Sequence, residues 1–141
     1  MRHIGGRWVK GSCRAKVDAA MLKGEGMKLI PHKGSRNRRT TYLTDEDGEI
    51  VARYDSESIV MRSMVSKSGK LWLIQTAENV SRDEDDRAII LIRLSGDPAA
   101  WFYYFPAWKY VQKIFLEEEK GRIRIDLGRE IVDVPLPDFT K

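Results

Sequence analysis

Three kinds of side chain in this sequence are placed to do chemistry: clustered cations, clustered carboxylates and a dense run of aromatics. The cations come first. Residues 1–40 hold eleven Lys and Arg against Asp18 and Glu25, a balance of +9. The rest of the chain holds 14 basic and 19 acidic residues, or −5, so the net charge of +4 conceals a strong split. Clustered Lys and Arg neutralise phosphates and release condensed counterions, which gives salt-sensitive affinity with little base preference. A split of this kind points to a nucleic acid or another polyanion as partner. The densest cluster is Lys33, Arg36, Arg38 and Arg39, in a stretch (HKGSRNRR) with no apolar residue. Such a stretch predicts a loop that a partner orders, suited to backbone contact rather than base reading. Arg7, Lys10, Arg14 and Lys16 extend the same basic region. DNA and RNA fit this pattern equally.

The carboxylates form two runs, Asp45-Glu46-Asp47 with Glu49, and Asp83 to Asp86. Oxygen ligands this close suit Mg²⁺ or Ca²⁺, but neither run has the alternation, central Gly and terminal Glu of a calcium loop. A nuclease-like, metal-dependent enzyme would instead gather carboxylates from several strands. On paper Asp47, Asp55 and Glu78, with Lys70, make such a set. The plainer reading is acidic turns that keep hairpin tips soluble. Cys13 with His3 or His32 is the one Cys–His pairing available, and its members lie in basic segments without an evident scaffold. No nucleophile elbow, phosphate loop or dinucleotide fingerprint occurs. The expectation is a non-enzymatic protein with no cofactor and no metal. A single Cys excludes a disulfide framework and all-cysteine zinc modules.

The aromatics concentrate between residues 101 and 110, which hold seven of the thirteen Phe, Trp and Tyr. Beside cations such a run could stack bases, but only Lys109 lies within it. It reads better as a core layer. As a further alternative, Trp101, Phe102, Tyr104 and Trp108 would form the interface of a homo-oligomeric interaction module.

These groups need elements to position them. Ser12 is a candidate N-cap for a helix over 13–23, stopped by Gly24 and Gly26. Trp8 and Val9 suggest a short strand. Residues 27–30 suggest another, ended by Pro31. Two hairpins follow: 40–44 with 49–54 across an acidic Asp-Gly turn, and 59–65 with 70–76 across Ser-Lys-Ser-Gly. Residues 87–94 (RAIILIRL) are a continuous apolar run between Arg87 and Arg93 and predict a central strand buried on both faces. Asp97-Pro98 has the form of a helix start, predicting a helical region over 98–119. RIRIDL and residues 130–134 make a third hairpin.

The expected class is α+β, with a mostly antiparallel sheet of five to seven strands, one short helix and one longer one. Residues 1–39 form a basic region, part of the same domain or partly mobile, ahead of a core over 40–141. No stretch approaches the roughly twenty apolar residues of a membrane span, and the first residues lack an apolar signal region. A cytoplasmic location follows as the expectation. The favoured function is nucleic-acid binding through the basic region, with little base specificity.

Overall fold

The described residues form twelve strands, in the order β1 (Trp8–Gly11), β2 (Lys16–Val17), β3 (Ile30–Lys33), β4 (Thr40–Thr44), β5 (Ile50–Asp55), β6 (Val60–Val65), β7 (Leu71–Thr76), β8 (Ala88–Arg93), β9 (Ala99–Tyr104), β10 (Lys113–Glu117), β11 (Arg122–Asp126) and β12 (Ile131–Pro135). The computed structural model describes residues 7–11, 15–18, 22, 28–34, 39–56, 59–76, 88–95, 97–104 and 111–139, with backbone alone at Ala88 and Tyr104. The strands form three antiparallel sheets: five strands in the order β1-β9-β8-β7-β6, four in the order β2-β5-β4-β3, and three in the order β10-β11-β12.

The five-stranded sheet lies between the other two. The period-2 alternation of its strands shows this directly. Trp72 and Ile74 of β7, with Ile90 and Ile92 of β8, pack against Leu43, Val51, Ala52 and Tyr54 of the four-stranded sheet. Their chain neighbours Leu71, Leu73, Ile89 and Leu91 pack against Ile114, Ile123, Ile125 and Val134 of the three-stranded sheet. All six residues of β7 are therefore buried. The continuous apolar run at 87–94 is explained in the same way, as the sequence predicts. The buried Trp72 indole is satisfied by Ser63 Oγ, 2.8 Å from its Nε1.

Single contacts tie the layers together. Arg62 of β6 donates from Nε to Gln75 Oε1 (2.8 Å) and from Nη2 to the carbonyls of Val111 (2.7 Å) and Gln112 (2.9 Å), where the chain enters the three-stranded sheet. Trp8 Nε1 donates to the Pro135 carbonyl, joining β1 to β12. At β1 the approach is close enough to require glycine. A Cβ on Gly11 would lie 2.7 Å from Cε2 of Phe102.

The α+β expectation is overturned. The chain is nearly all β, about 60% strand, with no helix of seven or more residues among the described residues. Twelve strands replace the expected five to seven. Within the expected helix over 13–23, Lys16 and Val17 form β2, paired with Arg53 and Ala52 of β5. Val17, Ala20 and Met21 give too narrow a helical face to compete with an open sheet edge. Within the expected helix over 98–119 lie β9 and β10, and among the described residues the helical piece is a 3-10 turn at Glu118–Lys120, with 105–110 outside them. Pro98 precedes a strand rather than starting a helix, a position that costs no ladder hydrogen bond. The aromatic character of AAWFYY favours a pleated surface. In KIFLE the alternation decides: Ile114 is buried and Phe115 exposed.

Pro31 does not end a strand either. It lies inside β3, which is an edge strand and so tolerates a missing N–H donor. The three hairpins stand, each within a residue or two of its expected span. Gly48, at φ +86°, supplies the positive φ of the first turn. The short strand expected around Trp8 is β1. Strands β1, β2 and β3, from the basic region, pair with β9, β5 and β4. Among the described residues no helix is long and apolar enough to cross a membrane.

Candidate nucleic-acid interface

The outward face of the four-stranded sheet carries a row of four side chains set by strand register. Lys16 of β2 is opposite Arg53 of β5, Arg53 is opposite Tyr42 of β4, and Tyr42 is opposite His32 of β3. Three strand spacings of about 4.8 Å make the row roughly 14 Å long. Its outward direction follows from alternation: Leu43, Ala52 and Tyr54 on the same strands point into the core, so Tyr42 and Arg53 point away from it. Two cations stand at one end and two rings at the other.

The rings are held in place. His32 and Tyr42 stack with centroids 4.9 Å apart and an interplanar angle of 11°. His32 Nε2 lies 2.8 Å from Thr44 Oγ1, and Thr41 Oγ1 donates to the His32 carbonyl from the buried side. The cations are held loosely. Arg53 Nε donates to Asp55 Oδ1 at 3.2 Å, and both side chains of this pair are 55% exposed. An ion pair so exposed contributes about 0–1 kcal/mol. Neither terminal guanidinium nitrogen of Arg53, nor the Lys16 ammonium, nor the Tyr42 hydroxyl makes a hydrogen bond to a described residue. Asp55 stands close enough to both cations to feel their charge. The Thr40 hydroxyl, 2.9 Å from its Oδ1, holds its carboxyl below the usual range, helped by Arg53 and Lys16. Next to the row, where β2 stops after two residues, an open depression of about 280 Å³ is lined by Asp18, the exposed Ile50 and the two cations.

The outward face of the three-stranded sheet provides the contrast. Its cations are paired in a ladder: Arg122 Nε to Glu117 at 2.7 Å, Arg124 Nε to Asp133 at 3.0 Å, and Arg122 Nη1 to Asp133 at 3.5 Å. Arg122 beside Glu117, and Arg124 beside Asp133, hold these carboxyls below their usual range, and Asp133 raises the Arg124 guanidinium above its own. On that surface the guanidinium groups of Arg122 and Arg124 are already occupied by carboxylates.

Among the described residues, the basic side chains expected to bind stand on several different elements. Lys16 lies in the row. Lys10 of β1 lies over the ring of Trp101, 5.4 Å from its centroid. Lys33 of β3 donates to the Met61 carbonyl of β6 at 3.4 Å, towards the central sheet. Arg7 is exposed ahead of β1, and Arg39 is exposed in the turn leading into β4. Arg14, Arg36 and Arg38 lie outside the described residues. Of the aromatic segment, Trp101 is 3% exposed. It is enclosed by Lys10, Arg93 and the edge of Phe139. Phe102 packs on the opposite face, against the core shared with the four-stranded sheet. The side chains of Tyr104 and Trp108 lie outside the description.

Among the described residues no group of three or more His, Cys, Asp or Glu is placed to hold a metal ion. Asp47 is in the β4–β5 turn, and its N–H binds Asp45 Oδ1. Asp55 is at the other end of β5, roughly 17 Å of strand away. Lys70 is in the β6–β7 turn. Glu78 and the 83–86 run lie outside the described residues, as do Cys13 and His3.

Sequence reasoning passed over Arg53 and Tyr42, and considered His32 only as a partner for Cys13. A signal was present. In the 40–44 and 49–54 strands, Tyr42 alternates with Leu43, and Arg53 with Ala52 and Tyr54, so both fall on the side away from the core. Comparison with models of known protein families, with curated proteins and with solved structures finds no match to this chain.

Proposed function

We propose that this protein is a non-enzymatic nucleic-acid-binding protein that takes the phosphate backbone on the outward face of its four-stranded sheet. The observation that carries the reading is the row itself: Lys16 and Arg53 side by side, with donor groups unused among the described residues, beside a pre-stacked Tyr42 and His32. Arg53 binds Asp55 through Nε alone, leaving the two terminal nitrogens that form a bidentate contact with phosphate. Exchanging an exposed carboxylate for a phosphate costs little, because the existing pair is weak. The positive balance of residues 1–40 adds long-range attraction, which speeds encounter whether or not each cation touches the ligand. The cytoplasm expected from the sequence is a compartment where such a ligand is met.

The test is oligonucleotide binding by fluorescence anisotropy across a salt series, on the full chain and on the Lys16→Ala/Arg53→Ala variant. Loss of two phosphate contacts lowers the slope of log K against log salt by about 1.4 for a single strand. Undetectable binding at low salt, or an unchanged affinity and slope in the double variant, overturns the proposal.

A further inference from the structure

The order of side chains in the row selects the form of nucleic acid. We infer that the ligand is single-stranded, with a base added to the Tyr42–His32 stack and the adjoining phosphates on Arg53 and Lys16; this rests on the proposed function above. The stack is nearly parallel and stands next to the cations, one strand away from Arg53. A phosphate on Arg53 therefore brings its own nucleotide's base to the rings. In a duplex the base faces are covered by their neighbours, so stacked rings have nothing to receive. In a single strand every base has an open face, and stacking with cations alongside is how proteins hold it without reading sequence. The fold agrees with this choice. Reading a duplex by its major groove needs a protruding helix or a two-stranded ribbon. The row lies instead on a four-stranded face, and the described residues contain no helix of seven or more residues. The unbonded Tyr42 hydroxyl and the His32 imidazole add polar edges beside the stacking surface, without fixing which base is taken.

The experiment compares a short mixed-sequence single strand with the duplex it forms with its complement, using the full chain and the variants Tyr42→Leu and Tyr42→Phe. The single strand is expected to bind more tightly than the duplex. Tyr42→Leu is expected to weaken single-strand binding by about 5- to 150-fold, the worth of one base–ring stack, with duplex binding unchanged. Tyr42→Phe keeps the ring and is expected to bind as the parent does. Wild-type NMR gives a readout independent of any variant: the His32 ring protons shift on addition of the single strand and not of the duplex. Equal affinity for both forms with Tyr42→Leu without effect, while Lys16→Ala/Arg53→Ala still weakens binding, removes this inference and leaves the proposed function standing. His32 signals unmoved at saturating single strand also remove it. Binding of neither form at low salt removes both.

Discussion

Replacing Leu73 and Ile74 singly by Ala separates a three-layered chain from a two-layered one. In a two-layered sandwich, adjacent residues of a strand alternate between core and solvent, and one of two neighbours is cheap to truncate. Here both are fully buried. Leu73 faces Ile123 and Ile125 of the three-stranded sheet, and Ile74 faces the cluster of Leu43 and Tyr54. Each truncation removes buried methyl groups and leaves a cavity in a strand with no room to collapse, because β6 and β8 flank it in the same sheet. The cost is about 2–5 kcal/mol for each. For 141 residues the unfolding entropy is about 0.3 kcal/mol/K, so each variant loses roughly 7–17 °C of melting temperature. Because the total stability of a domain is about 5–15 kcal/mol, the double variant is close to unfolded. Urea unfolding followed by circular dichroism measures both costs, and an unchanged m-value shows that the same surface is exposed. Native-state hydrogen exchange adds direction: Ile74→Ala lowers protection first in β4 and β5, and Leu73→Ala first in β11. If either substitution costs less than about 0.5 kcal/mol, the range of ordinary surface changes, that face of β7 is solvated and the three-layer arrangement is wrong.

Three further predictions test other parts of the structure. Gly11→Ala places a Cβ 2.7 Å from the Phe102 ring and is expected to cost about 1–3 kcal/mol as an overpacked contact; Phe102→Leu in the same chain restores most of the melting temperature, and no restoration would show that the clash is not the cause. Glu117 and Asp133 have their carboxyls lowered by Arg122 and Arg124, so the stability they contribute is present above the ordinary carboxylate range and is lost as pH falls through their lowered values. The effect is small because the ladder is exposed, and it is detected as an acid limb of the melting temperature that flattens in Arg122→Gln/Arg124→Gln; an identical limb in that variant refutes it. Asp55→Asn removes the one carboxylate bonded to Arg53 and is expected to tighten oligonucleotide binding about fivefold at low salt, from a repulsion of about 1 kcal/mol; weaker binding would mean that Asp55 holds Arg53 in position rather than opposing the ligand.

What could be read from the sequence was local. Asp-Gly at 47–48 and Ser-Gly at 68–69 fix turns by backbone conformation alone, and RAIILIRL has to be covered on both sides wherever it lies. The same reasoning failed where a short segment's period was decided by a distant partner. Lys16 and Val17 are strand because β5 offers an open edge, and nothing within residues 13–23 encodes that edge. Residues 99–104 are strand because β1 and β8 flank them, which a Pro after an Asp does not reveal. The candidate site failed to show for the same reason: its four members come from four strands and are brought into line only by register.

The distribution of charge gains a different meaning once register is known. A positive face is made less by the number of cations than by the absence of carboxylates opposite them. Arg122 and Arg124 lie in a hairpin without a register shift, yet Glu117 and Asp133 sit across from them and occupy their guanidinium groups. Lys10 and Lys33 belong to the +9 segment, yet one covers an indole and the other binds a carbonyl of the neighbouring sheet. Lys16 and Arg53 differ because the strand positions directly opposite them hold each other and Tyr42, with Asp55 the acid that binds Arg53. One member of the pair belongs to the basic segment and the other to the acidic remainder, so counting along the chain could not have joined them. The attraction of the first forty residues acts on a ligand from a distance, whereas the place where it would be held is determined by which side chains the sheet leaves unpaired.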